Sequence, residues 1–357
     1  MNAPFLHFRC GPPNRAGYAA KCPPRNEFSP FKGDYPGLDR RGKSSYIPSR
    51  KFGVRAVSIK SHRIHQMTIP QWEAAFPDDD ACKAYLVRHR WPTGIKCPRC
   101  GNDHVYELKA RAFHWQCEQC ATNGYRFSVI AGTIFENTNK PLRIWFRVIH
   151  LMLTSKKGIS ALQIHRVMGF GSYETAWSMC HKVRAALADK EFRKLMGIVE
   201  VDETYIGGKD KNRHWDRKKG GVGGEGSDKF IVIGAVERKG NVVARVIENT
   251  RASTFANFVR EVVSNKVSLL ATDDSSGYNF LPPELHHEAV NHKAHQYVVG
   301  ALHTNTIEGF WSLIKRGVVG TYHKVSRKYL PLYVAEFQFR YNNRLNPDIF
   351  GEALRGC

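Results

Sequence analysis

Asp202, Asp273 and Glu308 are acids of the kind that hold divalent ions, and each falls where a regular element would present it. Asp202 lies in Ile198-Val199-Glu200-Val201-Asp202-Glu203-Thr204-Tyr205-Ile206, whose alternation predicts a strand with Asp202 on one face. The same alternation sends Glu203 to the other face, so only one of the two is expected at a common site. Asp273 ends the apolar run Val267-Ser268-Leu269-Leu270-Ala271-Thr272, just before the turn-like Asp274-Ser275-Ser276-Gly277. Glu308 sits in Asn305-Thr306-Ile307-Glu308-Gly309-Phe310-Trp311-Ser312-Leu313-Ile314-Lys315-Arg316, which reads as a helix. Lys315, about two turns beyond Glu308, projects from the same face and can hold a phosphate. Two strand ends and a helix can gather three acids around Mg²⁺ or Mn²⁺. A pair of such ions about 3.5–4 Å apart stabilises both the attacking and the leaving oxygen at a phosphodiester, which is the chemistry of cutting and joining nucleic-acid strands.

A second set of ligands is sulfur. Cys97-Pro98-Arg99-Cys100 and Cys117-Glu118-Gln119-Cys120 are separated by sixteen residues, a spacing that falls in the recognised zinc window. Thiolates two positions apart on a tight turn chelate one tetrahedral Zn²⁺, and two such turns joined by strands at Val105-Tyr106-Glu107-Leu108 and His114-Trp115-Gln116 make a zinc ribbon. Four thiolates leave no open position, so the expected Zn²⁺ is structural. His104 and His114 are expected to be surface or strand residues. The other five cysteines (Cys10, Cys22, Cys82, Cys180 and Cys357) have no partner spacing and read as free thiols of a reducing cytosol.

Around these sites the chain divides into segments. Residues 1–66 form a basic, Pro- and Gly-rich head without periodicity, expected to be disordered and to be an extension upstream of a natural start at Met67. Residues 67–136 hold short helices and the ribbon. Residues 137–195 read as helical: Pro141 opens one helix, Gly158 to Gly169 contains a second, and Tyr173 to Leu187 a third, with a Gly-Phe-Gly-Ser turn before the last. Helix, glycine turn, helix is the helix-turn-helix pattern, in which Lys182 and Arg184 are expected to contact DNA backbone, while Trp177 and Val183 pack. An ordinary helical hairpin is the alternative. Residues 196–350 turn to mixed α/β, with strands at 198–206, 229–237 and 241–248, a helix at 253–264, a strand at 267–272 and helices from 305 onward. Residues 209–228, rich in glycine and charge, read as a loop, and 351–357 as a tail. This order of elements, with acids on the first strand, at the end of the fourth and on a late helix, fits a ribonuclease-H-like layout.

Charge is consistent with a polyanionic partner. The 357 residues carry a formal charge of +22, of which the head supplies +10 (13 Lys/Arg against 3 Asp/Glu) and the rest +12. No apolar run nears the roughly 18 residues of a membrane span, and the N-terminus lacks the apolar stretch of a secretory signal, so the chain is expected in the cytoplasm.

Several separate segments together resemble the ISXO-like zinc-ribbon DDE insertion-sequence transposases, a group related to the eukaryotic Merlin elements. They are Trp91-Pro92-Thr93-Gly94 with Cys97-Pro98-Arg99-Cys100-Gly101, Gly158-Ile159-Ser160-Ala161, Val201-Asp202-Glu203-Thr204-Tyr205-Ile206-Gly207-Gly208 and Thr272-Asp273. Further matches are Asn305-Thr306-Ile307-Glu308-Gly309-Phe310-Trp311, Gly320-Thr321-Tyr322-His323 and Glu336-Phe337-Gln338-Phe339-Arg340-Tyr341-Asn342. The resemblance covers about residues 67–350 and omits the head. It implies a ribonuclease-H-like catalytic domain with Asp202, Asp273 and Glu308 as the metal-binding acids, 35 positions separating the last two, and Lys315 as the family's extra basic position. It also implies Mg²⁺-dependent cutting at element ends, then joining of the freed 3′-hydroxyl to target DNA. The partners expected are terminal inverted repeats, target duplex and a second copy of the chain, with the protein on the nucleoid when DNA-bound.

Two other readings of the residues stay open at this point. One is a zinc-ribbon DNA-binding regulator with a non-catalytic α/β domain. The other is a structure-specific nuclease that cuts without joining.

Overall fold

The computed structural model describes residues 67–120, 124–188, 192–207, 214, 229–290 and 303–357. The basic head at 1–66, and the loop at 209–228 apart from His214, lie outside the described residues.

Two short helices open the described chain. Helix α1 (Ile69–Ala75) is set by a capping box between Thr68 and Gln71, and α2 (Asp79–Arg90) by the Asp78 carboxylate accepting from the Ala81 N–H. A three-stranded antiparallel sheet follows, β1 (Val105–Glu107), β2 (His114–Cys117) and β3 (Tyr125–Ser128), in that order. The third strand was not expected from the sequence; its four residues are too few to show a period. Three helices come next, α3 (Leu142–Thr154), α4 (Ala161–Met168) and α5 (Tyr173–Ala186). The turn between α4 and α5 is built as glycine permits: Gly169 closes α4 at φ +63°, and the Ser172 hydroxyl opens α5 by accepting from the Glu174 N–H.

One hydrophobic core runs through all of these elements, from Trp72 and Phe76 through Trp115 and Phe127 to Phe146, Ile149 and Val183. It also takes in the far end of the chain. Helix α9 (Ile349–Gly356) buries Ile349, Phe350, Ala353 and Leu354 there, and the Phe350 ring lies 5.3 Å from that of Phe146. Residues 351–357 are therefore not a tail. Their apolar positions share one helical face, but two turns are too short to stand out in a sequence.

The second half is a five-stranded mixed sheet in the order β6-β5-β4-β7-β8. The strands are β4 (Leu195–Ile206), β5 (Phe230–Glu237), β6 (Val242–Ile247), β7 (Val263–Asp273) and β8 (His287–Val290). The first three are antiparallel neighbours, while β7 runs parallel to β4 and β8 parallel to β7. Helix α6 (Ala252–Val262) makes the crossover into β7 and packs Phe255, Phe258 and Val259 on one face, over Val199, Val201 and Leu270. On the other face α7 (Asn305–Gly317) and α8 (Leu330–Asn342) pack Ile307, Phe310, Trp311 and Phe337 over Val232, Val236 and Val242. Both faces are covered, which explains why β5 is a nearly continuous apolar run. Among the described residues no helix is long and apolar enough to cross a membrane.

Arg184 corrects an expectation. It is 1% exposed, and its Nε donates to the Glu336 carboxylate at 2.7 Å, joining α5 to α8. The Tyr322 hydroxyl also donates to Glu336, and the guanidinium carbon stands 4.1 Å from the Tyr333 ring centroid. Such a side chain cannot reach a DNA phosphate. The periodicity contained the answer: Arg184 shares a helical stripe with the buried Ala176, Cys180, Val183 and Leu187. Lys182 is exposed, as expected of a surface contact, with Nζ 5.9 Å from the Trp145 ring. Arg184→Ala would leave the Glu336 carboxylate buried without its nearest cation, and should cost about 3–5 kcal/mol of stability. Urea unfolding of Arg184→Ala beside Arg184→Met/Glu336→Gln checks this, with the double variant expected to recover much of the loss.

Candidate active site

Strand β4 runs through the centre of the sheet, and pairing to β7 stops at Glu200–Ala271. Two residues further, past the last paired residues, Asp202 and Asp273 stand close enough to bring carboxylate oxygens within 4.8 Å of each other. Asp202 turns to the α7 face, where the Trp311 indole N–H donates to its Oδ2 at 3.0 Å. Gly234 sits opposite Asp202 on β5, and any Cβ there would lie 2.6 Å from the Trp311 ring. The indole reaches Asp202 because that position has no side chain.

Glu203 corrects a second expectation. It does turn to the α6 face, where the Tyr278 hydroxyl donates to its Oε2 at 2.8 Å. Because the strand edge is open beyond Glu200, one carboxylate oxygen of each of Asp202, Glu203 and Asp273 nevertheless falls within 4.8 Å of the others. Alternation assigned the faces properly; what it could not show is that the strands part here, letting acids from both faces meet around an edge.

Burial first, and then the charges of Glu203 and Asp273, push the Asp202 carboxyl up to about 7. Burial also raises Glu203, and it holds the Tyr278 hydroxyl well above its usual range with the neighbouring acids adding to the effect. An acid with a folded pKa above its unfolded value favours the fold only while protonated. Its contribution is whole below about pH 4 and is lost as pH rises to about 7. In chelator, the melting temperature of the wild-type protein should therefore fall more steeply across that window than that of Asp202→Asn, and divalent salt should remove the difference. Parallel curves would contradict this.

Glu308 and Lys315 arrive on α7, whose first turn is pinned by an acid. Glu200, fully buried, accepts from the Thr306 N–H at 2.7 Å, the Ile307 N–H at 3.0 Å and the Thr306 hydroxyl at 2.8 Å. A carboxylate at a helix N-terminus satisfies donors that have no partner in the helix. Arg238 Nε, 2.6 Å from Glu200, balances the buried charge. Sequence reasoning passed over Glu200, although its alternation with Asp202 on one strand face was the available signal. Glu308 is exposed and lies outside the cluster of three acids. It shares with Asp202, Glu203, Lys315 and Lys157 a cleft of about 740 Å³.

The four cysteines also meet. The Cys97 and Cys120 sulfurs are 3.5 Å apart and those of Cys100 and Cys117 3.7 Å. Ligands at about 2.3 Å on a tetrahedron are about 3.8 Å apart, so the spacing fits a ZnS₄ centre. Gly101, at φ +75°, lets its N–H turn back to the Cys97 carbonyl at 2.9 Å and closes the first knuckle. Burial opposes ionisation of Cys97, but the backbone N–H groups of Cys100 and Arg99 outweigh it and bring that thiol down to about 7.

Comparison with known proteins places these two sites in matched segments. Residues 194–342 match the ISXO2-like transposase domain, and residues 77–123 match a transposase zinc-ribbon domain. An uncharacterised protein in transposable element ISH50 of Halobacterium salinarum is 28% identical over 269 residues, which is 71% of this chain and 88% of that one. A simian T-cell lymphotropic virus intasome, solved in complex with a PP2A regulatory subunit, covers 52% of this chain and 69% of its own at 14% identity and a TM-score of 0.26, too distant to carry an argument. The acids and Lys315 fall inside the first matched domain and all four cysteines inside the second; the chain thus carries an ISXO2-like transposase domain behind a transposase zinc-ribbon domain.

Proposed function

We propose that the chain is a DDE transposase that binds the terminal inverted repeats of its element, cuts there, and joins the freed end to target DNA. The observation that carries this is the meeting of Asp202, Asp273 and Glu203 at one strand edge, with Glu308 and Lys315 lining the adjoining cleft. The strand order, three antiparallel strands continued by two parallel ones, supports a ribonuclease-H-like fold for the domain.

The donor set is all oxygen, which suits Mg²⁺ or Mn²⁺ and not a soft metal. Asp202 and Asp273 are the ligands assigned to such ions, with Glu308 completing the set from α7. Bound ions of this kind stabilise charge on both the attacking and leaving oxygens of an in-line displacement. The residues do the rest. Trp311 orients the Asp202 carboxylate, Glu200 holds the helix that carries Glu308, and Lys315 binds a phosphate oxygen of the strand. Water opens the terminal phosphodiester and leaves a 3′-hydroxyl; that hydroxyl then displaces a 3′-oxygen from a target phosphodiester at the same acids. Zn²⁺ at Cys97, Cys100, Cys117 and Cys120 is structural. The ribbon and the α4–turn–α5 pair, a helix-turn-helix, grip the repeats, with Lys182 on the DNA side. Two ends must be held together, so the working form is a dimer or larger, in the cytoplasm on nucleoid DNA.

The test is a strand-transfer assay with Mg²⁺, a labelled element end and a target plasmid. Cleavage and covalent joining are expected. Binding without cutting would replace this reading by a regulator, and cutting without joining by a nuclease.

A further inference from the structure

Resting on the transposase reading, we propose that Lys157 is a DNA-binding residue of the active cleft, gripping a phosphate that flanks the one being cut. Lys157 belongs to neither matched domain. It sits in the loop between α3 and α4, far in sequence from the acids, yet it is exposed and lines the same cleft as Asp202, Glu203 and Glu308.

The loop is clamped where it meets the catalytic domain. The Arg340 guanidinium donates to the Ser155 carbonyl, and the Thr321 hydroxyl to the Lys157 carbonyl at 3.4 Å. Gly158 takes φ +84°, and a Cβ there would fall 2.0 Å from the Tyr322 hydroxyl. Gly317 makes the facing contact, since a Cβ on it would lie 2.9 Å from the Lys157 carbonyl oxygen. Two glycines and two hydrogen bonds therefore let the backbone of Lys157 lie against the turn that follows α7. A cation on a fixed backbone loses less freedom on binding than one on a free loop.

Charge gives the clamp a purpose. A cleft lined by Asp202, Glu203 and Glu308 repels the polyanion that must enter it. Lys157, Lys315 and Arg316 line the same cleft, and among the described residues no carboxylate forms an ion pair with any of them. Three cations that pair with no carboxylate among the described residues are available for phosphates on either side of the scissile one. Lys157 also links the two tasks of the chain, because the α3–α4 loop leads directly into the helix pair assigned to grip the repeat.

The experiment measures binding of the full chain to a labelled duplex copied from the element's terminal repeat, across a salt series. Lys157→Ala should flatten the slope of log K against log salt by about 0.7–0.9, the share of one phosphate. Lys157→Arg should keep the slope, and so should Lys156→Ala, an exposed neighbour that does not line the cleft. A methylphosphonate placed at one flanking position should weaken binding of the wild-type protein and leave Lys157→Ala unaffected. Equal slopes for wild type and Lys157→Ala, or equal methylphosphonate losses at every position, would overturn the proposal. The two readings fail separately: cutting and joining with an unchanged slope sinks Lys157 alone, while a Lys157-dependent slope in a protein that never cuts sinks the transposase assignment.

Discussion

Asp202→Ala should reduce strand cleavage by about 10³-fold or more while leaving binding of the element end within about threefold. On the proposed function Asp202 is a ligand of ions that stabilise both reacting oxygens; its removal would take away several kcal/mol of transition-state stabilisation, and each 1.36 kcal/mol is about tenfold in rate. The fold itself should survive, because Asp202 contributes repulsion to its surroundings: its carboxyl is pushed up to about 7 by burial and by the charges of Glu203 and Asp273. Losing that charge should raise the melting temperature measured in chelator, so activity and stability move in opposite directions. Asp202→Asn sharpens the test, since its amide oxygen still accepts from the Trp311 indole and preserves the local geometry. Single-turnover cleavage in Mg²⁺ and a gel-shift titration give the two readouts. Asp273→Ala and Glu308→Ala belong in the same series. Cleavage by any of the three within tenfold of wild type would remove that acid from the site. Glu203→Gln decides whether the acid that the sequence placed on the opposite face is a ligand or only a neighbour.

Loss of the sulfur site should be as severe for structure as loss of Asp202 is for chemistry. Cys117→Ser, or zinc extraction by a strong chelator, is expected to unfold the ribbon. Structural zinc contributes about 10–16 kcal/mol of apparent binding energy to small zinc-finger domains, comparable with the whole stability of an ordinary domain. Apart from the core it shares with the neighbouring helices, the ribbon has little of its own to hold it. Its three strands are three or four residues long, and its apolar content centres on Trp115, Phe127 and the half-buried Trp91, whose ring is 5.5 Å from that of Trp115. Metal analysis should find one zinc per chain. Its removal should shift tryptophan emission to the red as Trp91 and Trp115 meet water. A zinc-free chain with unshifted emission would show that packing alone holds the ribbon.

The strands of the catalytic half were legible because each is a run of apolar or alternating residues bounded by turn formers. Those expected at 229–237 and 241–248 are found at Phe230–Glu237 and Val242–Ile247, within two residues at each end. Asp202 could be singled out as an acid on one face of an alternating strand, and Asp273 because it sits where an apolar run gives way to polar sequence. Period, however, describes one element at a time. Glu203 joins the cluster only because β4 and β7 part after Glu200, a property of two strands together. Lys157 reaches the cleft through a loop held by Arg340 and Thr321, side chains more than 160 positions away. Arg184 was misplaced for a different reason. Its charge was weighed above its position on an apolar stripe, and the buried partner that makes that position tolerable, Glu336, is 152 residues distant.

Helix α9 carries a consequence for how the molecule is made. The core beneath the ribbon lacks Phe350, Ala353 and Leu354 until those residues have left the ribosome. A nascent chain thus cannot mature its zinc-ribbon half ahead of its mixed-sheet half. A frameshift or early stop before Ile349 would uncover the apolar core beneath the ribbon, so fragments of the gene that end there should yield aggregating chains.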